Sequence, residues 1–300
     1  MKKLIFVMAV SFVGIANATV WNPAANWIFP PDAGDWGNTA NWTDGVPMAD
    51  SDAAFVVPGA ADCHVTTPDA VCGVLLQGDN GPGGVLRIMD GGSLTTGSNW
   101  SAVGYNDTAQ LIVEAGGTVN IDYHLYVALN HGAVGTLDLE GGTVNVGGMF
   151  GLGWNGGDGN ANINDGTLNI SYLPFDSIQG SSHMDIESGT VVIDGNVLPQ
   201  IMTLIFPPVG LAGITAYDGT GTVYYNYDIV NPGKTTIWGL PSTPTQGNGD
   251  VDGDGNVNAT DLSLFAAEWL QIPPDPNADF TGDGMVNFAD FEILAANWVN

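Results

Sequence analysis

The last fifty residues of this 300-residue chain carry one acidic pattern twice, in copies that begin at Asp250 and Asp279. Each copy is a twelve-residue stretch with oxygen-bearing side chains at positions 1, 3, 5, 9 and 12, glycine at position 6 and valine at position 8. Alternate side chains of such a loop turn inward, the backbone carbonyl at position 7 adds an oxygen, and the glycine permits a sharp turn. Calcium prefers six to eight oxygen ligands at short range. The pattern therefore predicts two calcium-binding loops.

Each acidic loop is followed by a segment whose apolar residues recur at helical spacing, i, i+3, i+4 and i+7. These residues are Leu262, Phe265, Ala266 and Trp269 after the first loop, and Phe291, Leu294, Ala295 and Trp298 after the second. The spacing gives each helix one apolar face. We expect the two loop–helix units to face each other and to bury their two tryptophans together.

The duplicated loop and helix, with aspartate at position 12, resembles a type I dockerin, and the resemblance covers residues 250–300. It implies a small α-helical module of two EF-hand-like units. Such a module binds two calcium ions (Ca2+), folds with them, and docks onto a cohesin module of a partner protein. An acidic disordered tail is the alternative, but disorder does not explain two apolar helix faces.

Carried over position by position, the resemblance implies six ligands for each ion. Those of the first site are Asp250, Asp252, Asp254, Asn258, Asp261 and the carbonyl of Asn256, and those of the second site are Asp279, Thr281, Asp283, Asn287, Asp290 and the carbonyl of Met285. Thr281 replaces the carboxylate or amide usual at position 3. We therefore expect the second site to bind calcium more weakly than the first.

Positions 10 and 11 of the loops commonly contact the cohesin in this family. They are Ala259-Thr260 in the first copy and Phe288-Ala289 in the second. Because the two copies differ, the resemblance implies one binding orientation rather than two equivalent ones. Residues 250–300 contain no lysine or arginine, so any basic contact with the partner is missing.

The first eighteen residues predict a secretory signal peptide, in which Lys2 and Lys3 precede an apolar segment and a small-residue cleavage site that ends at Ala18. A membrane anchor is the alternative, but it needs a longer apolar run. Removal of residues 1–18 leaves two basic residues against 32 acidic ones, a formal charge of −30. This charge excludes nucleic acid as a partner, because phosphate binding needs lysine and arginine. We expect a secreted, extracellular or cell-surface protein with no membrane insertion after the leader is removed.

The middle of the chain is a repeat anchored on glycines that are 25, 25, 24 and 23 residues apart. The anchors are Gly92, Gly117, Gly142, Gly166 and Gly189. Each anchor lies between two short strands in which apolar and polar residues alternate, as in strands with one face inward. Such units bury their apolar side only when they stack as coils. Residues 19–240 are therefore predicted to form an all-β, right-handed parallel β-helix (solenoid). The alternative, a β-sandwich, would have shorter spacing between turns.

An aromatic stretch with Trp21, Trp27, Trp36 and Trp42 precedes the repeat. From Trp36 to Phe55 the sequence resembles the start of autotransporter-like parallel β-helices. This resemblance implies that the aromatic residues cap the exposed end of the first coil. A tryptophan-lined glycan groove is the alternative.

Beyond Gly195 the repeat becomes irregular. Residues 213–238 predict closing strands that cover the last coil. Residues 241–249 are rich in proline, glycine and polar residues, which is typical of a linker. This linker would join the solenoid to the module at 250–300.

Cys63 and Cys72 are the only cysteines. Export permits a disulfide, and the two residues flank neighbouring strand-like segments. A local disulfide is the favoured interpretation, and two free thiols are the alternative.

The solenoid sequence contains no catalytic motif that we recognise. A lyase acting on uronates needs a base and cationic groups, whereas the chain without its leader keeps only Arg87 and Lys234. A hydrolase needs two carboxylates at a set separation. The candidate acids form no tight pair, and they are Asp122, Asp138, Glu140, Asp165 and Asp185. We expect Asp138 and Glu140 to share a solvated outer face.

Other polar and aromatic residues of the repeat favour structural roles or binding. The histidines share no coil position and are predicted to be surface or turn residues; they are His64, His124, His131 and His183. Two rows of equivalent asparagines predict hydrogen-bonded ladders or ligand contacts; they are Asn120, Asn145 and Asn169, and Asn106, Asn130 and Asn155. Tyr105 and Trp154, two coils apart, either stack on sugar rings or pack in the interior with Leu129.

These patterns together favour a secreted solenoid that binds polysaccharide or cell-surface material and is attached to a cohesin-bearing partner by its C-terminal module. One alternative is a polysaccharide hydrolase that acts through paired carboxylates on the solenoid. Another is a structural surface scaffold that binds no ligand.

Overall fold

The structure, a computed structural model, describes residues 18–21, 34–55, 62–79, 81–175, 177–205, 213–241, 249–252, 255–269, 278–281 and 285–299. Of the predicted signal peptide only Ala18 lies in these ranges, and most of the predicted linker lies outside them. The strands are β1 (Ala18–Trp21), β2 (Gly34–Asp35), β3 (Asp52–Phe55), β4 (Cys63–Val65), β5 (Ala70–Cys72), β6 (Leu75–Gln77), β7 (Gly84–Ile88), β8 (Ser93–Thr96), β9 (Ser101–Val103), β10 (Ala109–Glu114), β11 (Thr118–Ile121), β12 (Leu125–Val127), β13 (Val134–Leu152), β14 (Asp158–Tyr172), β15 (His183–Ile186), β16 (Thr190–Asp194), β17 (Ile214–Ala216), β18 (Thr222–Tyr227) and β19 (Lys234–Leu240). The helices are α1 (Leu198–Ile205), α2 (Ala259–Glu268) and α3 (Phe288–Ala296).

Successive coils stack through three parallel ladders. The first ladder contains β2, β4, β7, β10, β13, β14, β15 and β17, the second contains β5, β8, β11, β13, β14 and β16, and the third contains β1, β3, β6, β9, β12 and β13. The long strands β13 and β14 each contribute to more than one ladder. The result is a parallel β-solenoid of about five turns. The predicted parallel β-helix is confirmed, and its right-handedness stays a prediction.

The glycine anchors occupy equivalent positions in successive coils, as the repeat predicts. The residue after each anchor pairs in register with its counterparts, and the series is Ser93, Thr118, Thr143, Thr167 and Thr190. A β-carbon added at Gly92 would lie 2.2 Å from the carbonyl oxygen of Val65 in the neighbouring coil, and one at Gly117 would lie 2.7 Å from that of Ile88. Any side chain at these anchors would therefore push the coils apart.

The interior of the solenoid is filled by aliphatic side chains that repeat from coil to coil. Leu86, Leu111 and Leu137 follow one another in the first ladder and are fully buried, as are Val119 and Val144 in the second. Burial of each such side chain contributes about 1.5–3 kcal/mol to stability. Alternation along each strand sends the intervening side chains outward, so the outer surface depends on which residues occupy the alternate positions.

Two tryptophans of the aromatic stretch before the repeat pack against the solenoid core. Trp36 and Trp42 are buried within the solenoid core, and their rings meet edge to face with centroids 4.9 Å apart. The indole N–H of Trp42 donates to the carbonyl of Trp36 at 2.8 Å. The burial of both rings supports the predicted cap and argues against a glycan groove at these two residues. Trp27 and the side chain of Trp21 lie outside the described residues.

The last coils are closed by an antiparallel pair of strands, in agreement with the sequence. β19 pairs antiparallel with both β16 and β18. Helix α1 precedes this pair and was not predicted, because the segment is short and contains Pro199. Proline is tolerated in the first turn of a helix, and α1 buries Ile201 and Leu204, three residues apart, against the core. Among the described residues, no helix is both long and apolar enough to span a membrane.

The two cysteines are free and buried, so the favoured prediction of a disulfide is wrong. Cys63 lies in β4 and pairs in register with Leu86, whereas Cys72 lies in β5 of another ladder and pairs with Thr96. Each thiol is therefore part of the aliphatic stack of its own face. Burial raises the pKa of both thiols well above the usual value.

Candidate calcium centre

Both C-terminal helices begin with the same capping arrangement. The side-chain oxygens of Asn258 and Asn287 accept the backbone N–H groups of the second helical residue, each at 2.8 Å. The acidic residue at the third helical position, Asp261 or Asp290, accepts in return from the N–H of the capping asparagine. This reciprocal capping box pairs N–H groups that a helix otherwise leaves without a partner.

Asp261 also ties the start of its loop to helix α2. Its carboxylate is fully buried and accepts N–H groups from Val251 at 2.7 Å, Asp252 at 3.2 Å and Asn258 at 2.8 Å. Burial alone would raise the pKa of Asp261, but these N–H donors hold the pKa below its usual value. The carboxylate therefore stays charged inside the module and faces the loop.

The first loop brings three carboxylates together. One oxygen each of Asp250, Asp252 and Asp261 lies within 4.8 Å of the others. Gly255, with φ of +89°, allows the turn and donates its N–H to Asp250 at 2.8 Å. Three like charges at this distance repel one another strongly, most of all where two of the side chains are buried. A divalent cation with oxygen ligands removes this repulsion, so the donor set fits calcium.

The second loop has the same backbone arrangement with fewer charges among its described residues. Asp279 and Asp290 are buried, and the hydroxyl of Thr281 lies 3.2 Å and 2.9 Å from their respective oxygens. The N–H groups of Thr281 and Asn287 donate to Asp290 at 2.8 Å and 2.9 Å. Thr281 thus places a neutral hydroxyl where the first loop has a carboxylate. The donor set fits calcium, with a weaker electrostatic attraction than in the first loop.

The other predicted ligands are either outside the described residues or held in contacts of their own. Asp254 and Asp283 lie outside the described residues. The amide oxygens of Asn258 and Asn287 are used in helix capping, and their amide nitrogens point to the carbonyls of Asn256 and Met285, at 3.4 Å and 3.1 Å. A position-9 side chain held in this way can still reach a cation through a water molecule, as is common in calcium loops.

The two loop–helix units pack on a shared core, although not as the sequence predicts. The buried residues are Val257, Phe265, Ala278, Phe280, Val286 and Leu294. Valine at position 8 of each loop belongs to this core, and the N–H of Val299 donates to the carbonyl of Val257 at 2.8 Å. Both loops are therefore anchored to one shared core through their valines.

The expected burial of the two tryptophans against each other is wrong. Trp269 is partly buried, and its ring lies 5.4 Å from that of Phe265 and 5.0 Å from that of Phe288. Trp298 is 38% exposed. Only one residue of each predicted apolar face is fully inside, Phe265 in α2 and Leu294 in α3, because the helices are short and two loops occupy the rest of the interface.

Several large apolar side chains of the module remain exposed to solvent. Phe288, at position 10 of the second loop, is 77% exposed. Other exposed apolar side chains on or beside the helices are Leu262, Leu264, Met285 and Phe291. A module this small rarely exposes so many large apolar groups unless it binds a partner. Spacing alone could not reveal this, because the same residues fit a buried face.

Comparison with known protein families identifies the family of the C-terminal module. The family model of the Dockerin type I domain matches residues 248–297. No curated protein and no solved structure matches the chain. Residues 248–297 are therefore a type I dockerin domain, attached to a β-solenoid. Domains of this family bind calcium and dock onto cohesin modules.

The polar residues singled out in the solenoid are mostly structural. Asn145 donates to Asn120 and Asn169 donates to Asn145, each at 2.8 Å, so the predicted ladder is confirmed in that row. Asp138 is buried rather than solvated, because the amides of Gln110 and Asn162 donate to its carboxylate. Asp185 is also buried, whereas Asp122, Glu140 and Asp165 are exposed.

The four histidines lie apart, as the sequence predicts. His131 and His183 are exposed, and His64 and His124 are half-buried. His124 accepts the N–H of Met149 through Nδ1 at 2.8 Å, and burial lowers the pKa of this imidazole. His124 is therefore a neutral structural group.

Tyr105 and Trp154 pack with Leu129, as one of the two alternatives expects, and stacking on sugar rings stays a prediction. Tyr105 and Leu129 are buried and Trp154 is half-buried, but they belong to a cluster separate from the solenoid core. Trp100 and Tyr126 pack against the same cluster. These aromatic residues therefore cover the outer side of the third ladder, and no repeat in the sequence predicts the places of Trp100 and Tyr126 among them.

The first ladder carries an outer depression of about 720 Å³ lined by Arg87, Asp90, Glu114 and Glu140 among others. Glu114 and Glu140 are paired in register on adjacent coils. Arg87 contacts Glu114 at 3.0 Å and Asp62 at 3.3 Å, and Asn164 donates to Glu140 at 2.9 Å. Both carboxylates therefore already have structural partners.

Proposed function

We propose that this is a secreted protein whose C-terminal dockerin, loaded with two calcium ions, docks the β-solenoid onto a cohesin module of another protein. The observation that carries the proposal is the convergence of Asp250, Asp252 and Asp261 within 4.8 Å at the start of a capped helix. Calcium would supply the positive charge that holds these carboxylates together. Binding and folding are coupled, because the separated carboxylates of the unfolded chain form no such site.

In this proposal the acidic residues of the dockerin bind the ions, and an exposed aromatic residue contacts the cohesin. Asp261 and Asp290 fix the start of each helix relative to its loop, and the remaining acidic residues complete the two ion sites. Phe288 then stands on the surface beside Trp269, in a position set by the second loop. An exposed aromatic side chain on a rigid support is a typical anchor of a protein interface.

The solenoid is proposed to bind polysaccharide or cell-surface material on behalf of the docked complex. A second candidate, hydrolysis of polysaccharide, is favoured by one observation, the depression that holds Glu114 and Glu140 on adjacent coils. It is the weaker candidate because Arg87 and Asn164 bind these carboxylates. A scaffold without a ligand is the remaining alternative.

The docking proposal is tested by capture of the full chain on a panel of immobilised cohesin modules, in calcium and in chelator. We expect capture by at least one cohesin in calcium alone, and none for the Asp250→Ala/Asp261→Ala variant. The matched control is Asp50→Ala/Asp69→Ala, which removes two exposed carboxylates of the solenoid and should dock normally. Docking by the Asp250→Ala/Asp261→Ala variant in chelator would contradict the proposal.

The hydrolase alternative is tested by the release of reducing ends from neutral and acidic polysaccharides. Release by the full chain that disappears in a Glu114→Gln/Glu140→Gln variant would establish it. Equal signals from the full chain and from a heat-inactivated sample would exclude it for those substrates.

A further inference from the structure

The third ladder presents aromatic side chains on its outer side. In β9 and β12, Val103 and Leu125 point into the core, so Ala102 and Tyr126, which pair in register, point outward. Trp100 and His124 lie one position before the paired residues Ser101 and Leu125. At the turn that follows, Tyr105 and Trp154 join the same layer. We name Trp100, Tyr105, His124, Tyr126 and Trp154 the aromatic face.

The rings of the aromatic face contact one another within a coil and, between Tyr126 and Trp154, across adjacent coils. The ring centroid of Tyr126 lies 5.7 Å from that of Trp154 and 6.2 Å from that of His124. Trp100 and Tyr105 are 5.5 Å apart. A β-carbon at Gly151 would lie 3.1 Å from the Tyr126 ring, so this ring rests directly on the glycine of the next coil. The packing holds the rings in place and leaves Trp100, Tyr126 and Trp154 half-buried.

The other two ladders have a different outer surface. Their outward positions carry hydrogen-bonded polar side chains, such as the ladder of Asn120, Asn145 and Asn169. Among the described residues, the rings of Trp100, Tyr105, Tyr126 and Trp154 cover the outer side of the third ladder, and two further aromatic residues extend that cover, Tyr123 at 45% exposure and Tyr172 at 57%. Neighbouring rings of this kind make a contiguous apolar patch, and contiguous apolar patches on a protein surface mark binding sites.

The charge of the molecule disfavours an anionic ligand. The whole chain has a formal charge of −28. Arg87 is ion-paired with Asp62 and Glu114, and Lys234 with Asp194. His124 accepts a hydrogen bond from Met149 and is neutral. A polyanion would therefore meet repulsion and find no cationic contact on the aromatic face.

A row of amides lies beside the rings. Asn106 and Asn155 directly follow Tyr105 and Trp154, and Asn130 follows Leu129 at the equivalent position of the coil between them. Asn130 donates to Asn106 at 2.8 Å, and Asn106 donates to the carbonyl of Asp79 at 2.8 Å. Asn106 and Asn155 are exposed. Rings with adjacent amide donors and acceptors match a sugar, which has an apolar C–H face and a rim of hydroxyl groups. Binding sites for small ligands combine apolar walls and a few placed polar groups in this way.

We propose that the aromatic face binds an uncharged polysaccharide chain that lies along the solenoid axis. Sugar rings stack on Tyr126 and Trp154, and their hydroxyl groups contact the asparagine row. The chain runs along the axis because Tyr126 and Trp154 belong to adjacent coils, which stack ~4.8 Å apart, and their ring centroids lie 5.7 Å apart. This inference rests on the proposed polysaccharide role, and it names the surface and the class of ligand.

The test compares the full chain with two double variants by affinity electrophoresis. Gels contain hydroxyethyl cellulose, galactomannan or mixed-linkage β-glucan as neutral polymers, or polygalacturonate as the acidic one. Tyr126→Ala/Trp154→Ala removes two rings of the aromatic face. The matched control, Tyr224→Ala/Trp238→Ala, removes a Tyr–Trp pair whose rings stack 5.9 Å apart on the closing strands. We expect retardation of the wild type by a neutral polymer, at least a tenfold weaker affinity for the first variant, and no change for the control.

Each result decides between separate claims. Unchanged affinity of Tyr126→Ala/Trp154→Ala would overturn the assignment to the aromatic face and leave the polysaccharide role standing. Retardation by polygalacturonate alone would overturn the uncharged ligand. Retardation by none of the four polymers would overturn the inference together with the polysaccharide role, while cohesin docking, measured separately, would be unaffected.

A second measurement does not depend on the folding of a variant. Hydrogen exchange of the wild-type chain is recorded with and without the neutral polymer that binds most tightly. We expect added protection of backbone amides in segments 100–106 and 123–130. Added protection confined to the first or second ladder would overturn the assignment.

The Tyr126→Phe/Trp154→Phe variant, which keeps a ring at each position, should bind within threefold of the wild type.

Discussion

Replacement of Asp261 by alanine should unfold the dockerin without affecting the solenoid. The carboxylate of Asp261 is fully buried and accepts three backbone N–H groups at 2.7, 2.8 and 3.2 Å. A hydrogen bond to a charged group contributes about 1.5–3 kcal/mol, so three of them set an upper bound of about 4.5–9 kcal/mol. The 3.2 Å contact is weak, and the loop N–H groups regain water when the loop opens. We therefore expect a loss of about 3–5 kcal/mol, which is large for a single substitution.

This loss is comparable to the whole stability of the module. A domain of this size has a free energy of unfolding of about 2.5–7.5 kcal/mol, at about 0.05–0.15 kcal/mol per residue. Asp261 also belongs to the carboxylate cluster of the first ion site. Its removal weakens calcium binding, which is a second source of folding free energy. Excess calcium should therefore not restore the fold.

Hydrogen exchange read by mass spectrometry separates the two parts of the full chain. In Asp261→Ala with excess calcium, the amides of α2 and α3 should exchange rapidly, while those of β13 keep their wild-type protection. The control, Glu292→Ala, removes an exposed carboxylate from α3 and should change nothing. Wild-type protection of α2 in Asp261→Ala would refute the reasoning, because it would show that the three hydrogen bonds and the ion site contribute little.

Three further predictions concern the ion site, the docking surface and the thiols. Thr281→Asp adds a carboxylate to the second loop and should raise its calcium affinity by about tenfold in calorimetry; an unchanged affinity would argue against position 3 as a ligand. Phe288→Ala should weaken cohesin binding at least tenfold in surface plasmon resonance, whereas Thr260→Ala should not, and equal effects would contradict a single docking orientation. Because burial raises the pKa of Cys63 and Cys72, the native protein should resist iodoacetamide at a pH of about 8.5. The unfolded chain ionises these thiols there and the folded chain does not, so the free energy of unfolding should fall as pH rises above this value; rapid alkylation of the native protein would count against this.

The periodic parts of the fold were predictable because every repeat needs the same residue types at the same positions. The glycine after each strand recurs where a side chain would strike the carbonyl of the neighbouring coil, as at Gly92 and Gly117. One sequence therefore shows the same structural requirement at five positions, one in each repeat. Helix α1 occurs once, has only two buried residues and contains Pro199 in its first turn. Local signals of that kind are too weak to predict a helix, and its contacts with the core decide the conformation.

The ion sites were predictable to a similar extent, and the surfaces were not. Positions 1, 3 and 12 of the first loop converge, because a calcium loop is a local structure, and the ligand roles of all the positions stay a prediction. The pairing of Trp269 with Phe288 depends on how two loop–helix units pack, which no single unit encodes. The cysteine prediction failed for a related reason. Closeness in sequence could not show that Cys63 and Cys72 belong to different ladders.

The aromatic face shows the limit of reading rows by sequence alone. Tyr105 and Trp154 share a repeat position, so the sequence alone indicates that they lie on the same side of the solenoid. Tyr126 and Trp100 occupy other positions of the coil. Only the ladder register shows that all four cover the same side of the solenoid. The register partners of Tyr126 are Ala102 and Gly151, so the repeat itself gives no signal for this ring.

Calorimetric titration of the full chain with calcium tests the central claim most directly. We predict two ions per chain with unequal affinities, and loss of the tighter one in Asp250→Ala/Asp261→Ala. A chain with a formal charge of −28 also attracts cations without specific sites, and salt screens that attraction. The titration is therefore made at high ionic strength. Binding that disappears at high ionic strength, or that is the same in the variant, would contradict the assignment of two calcium sites in the dockerin.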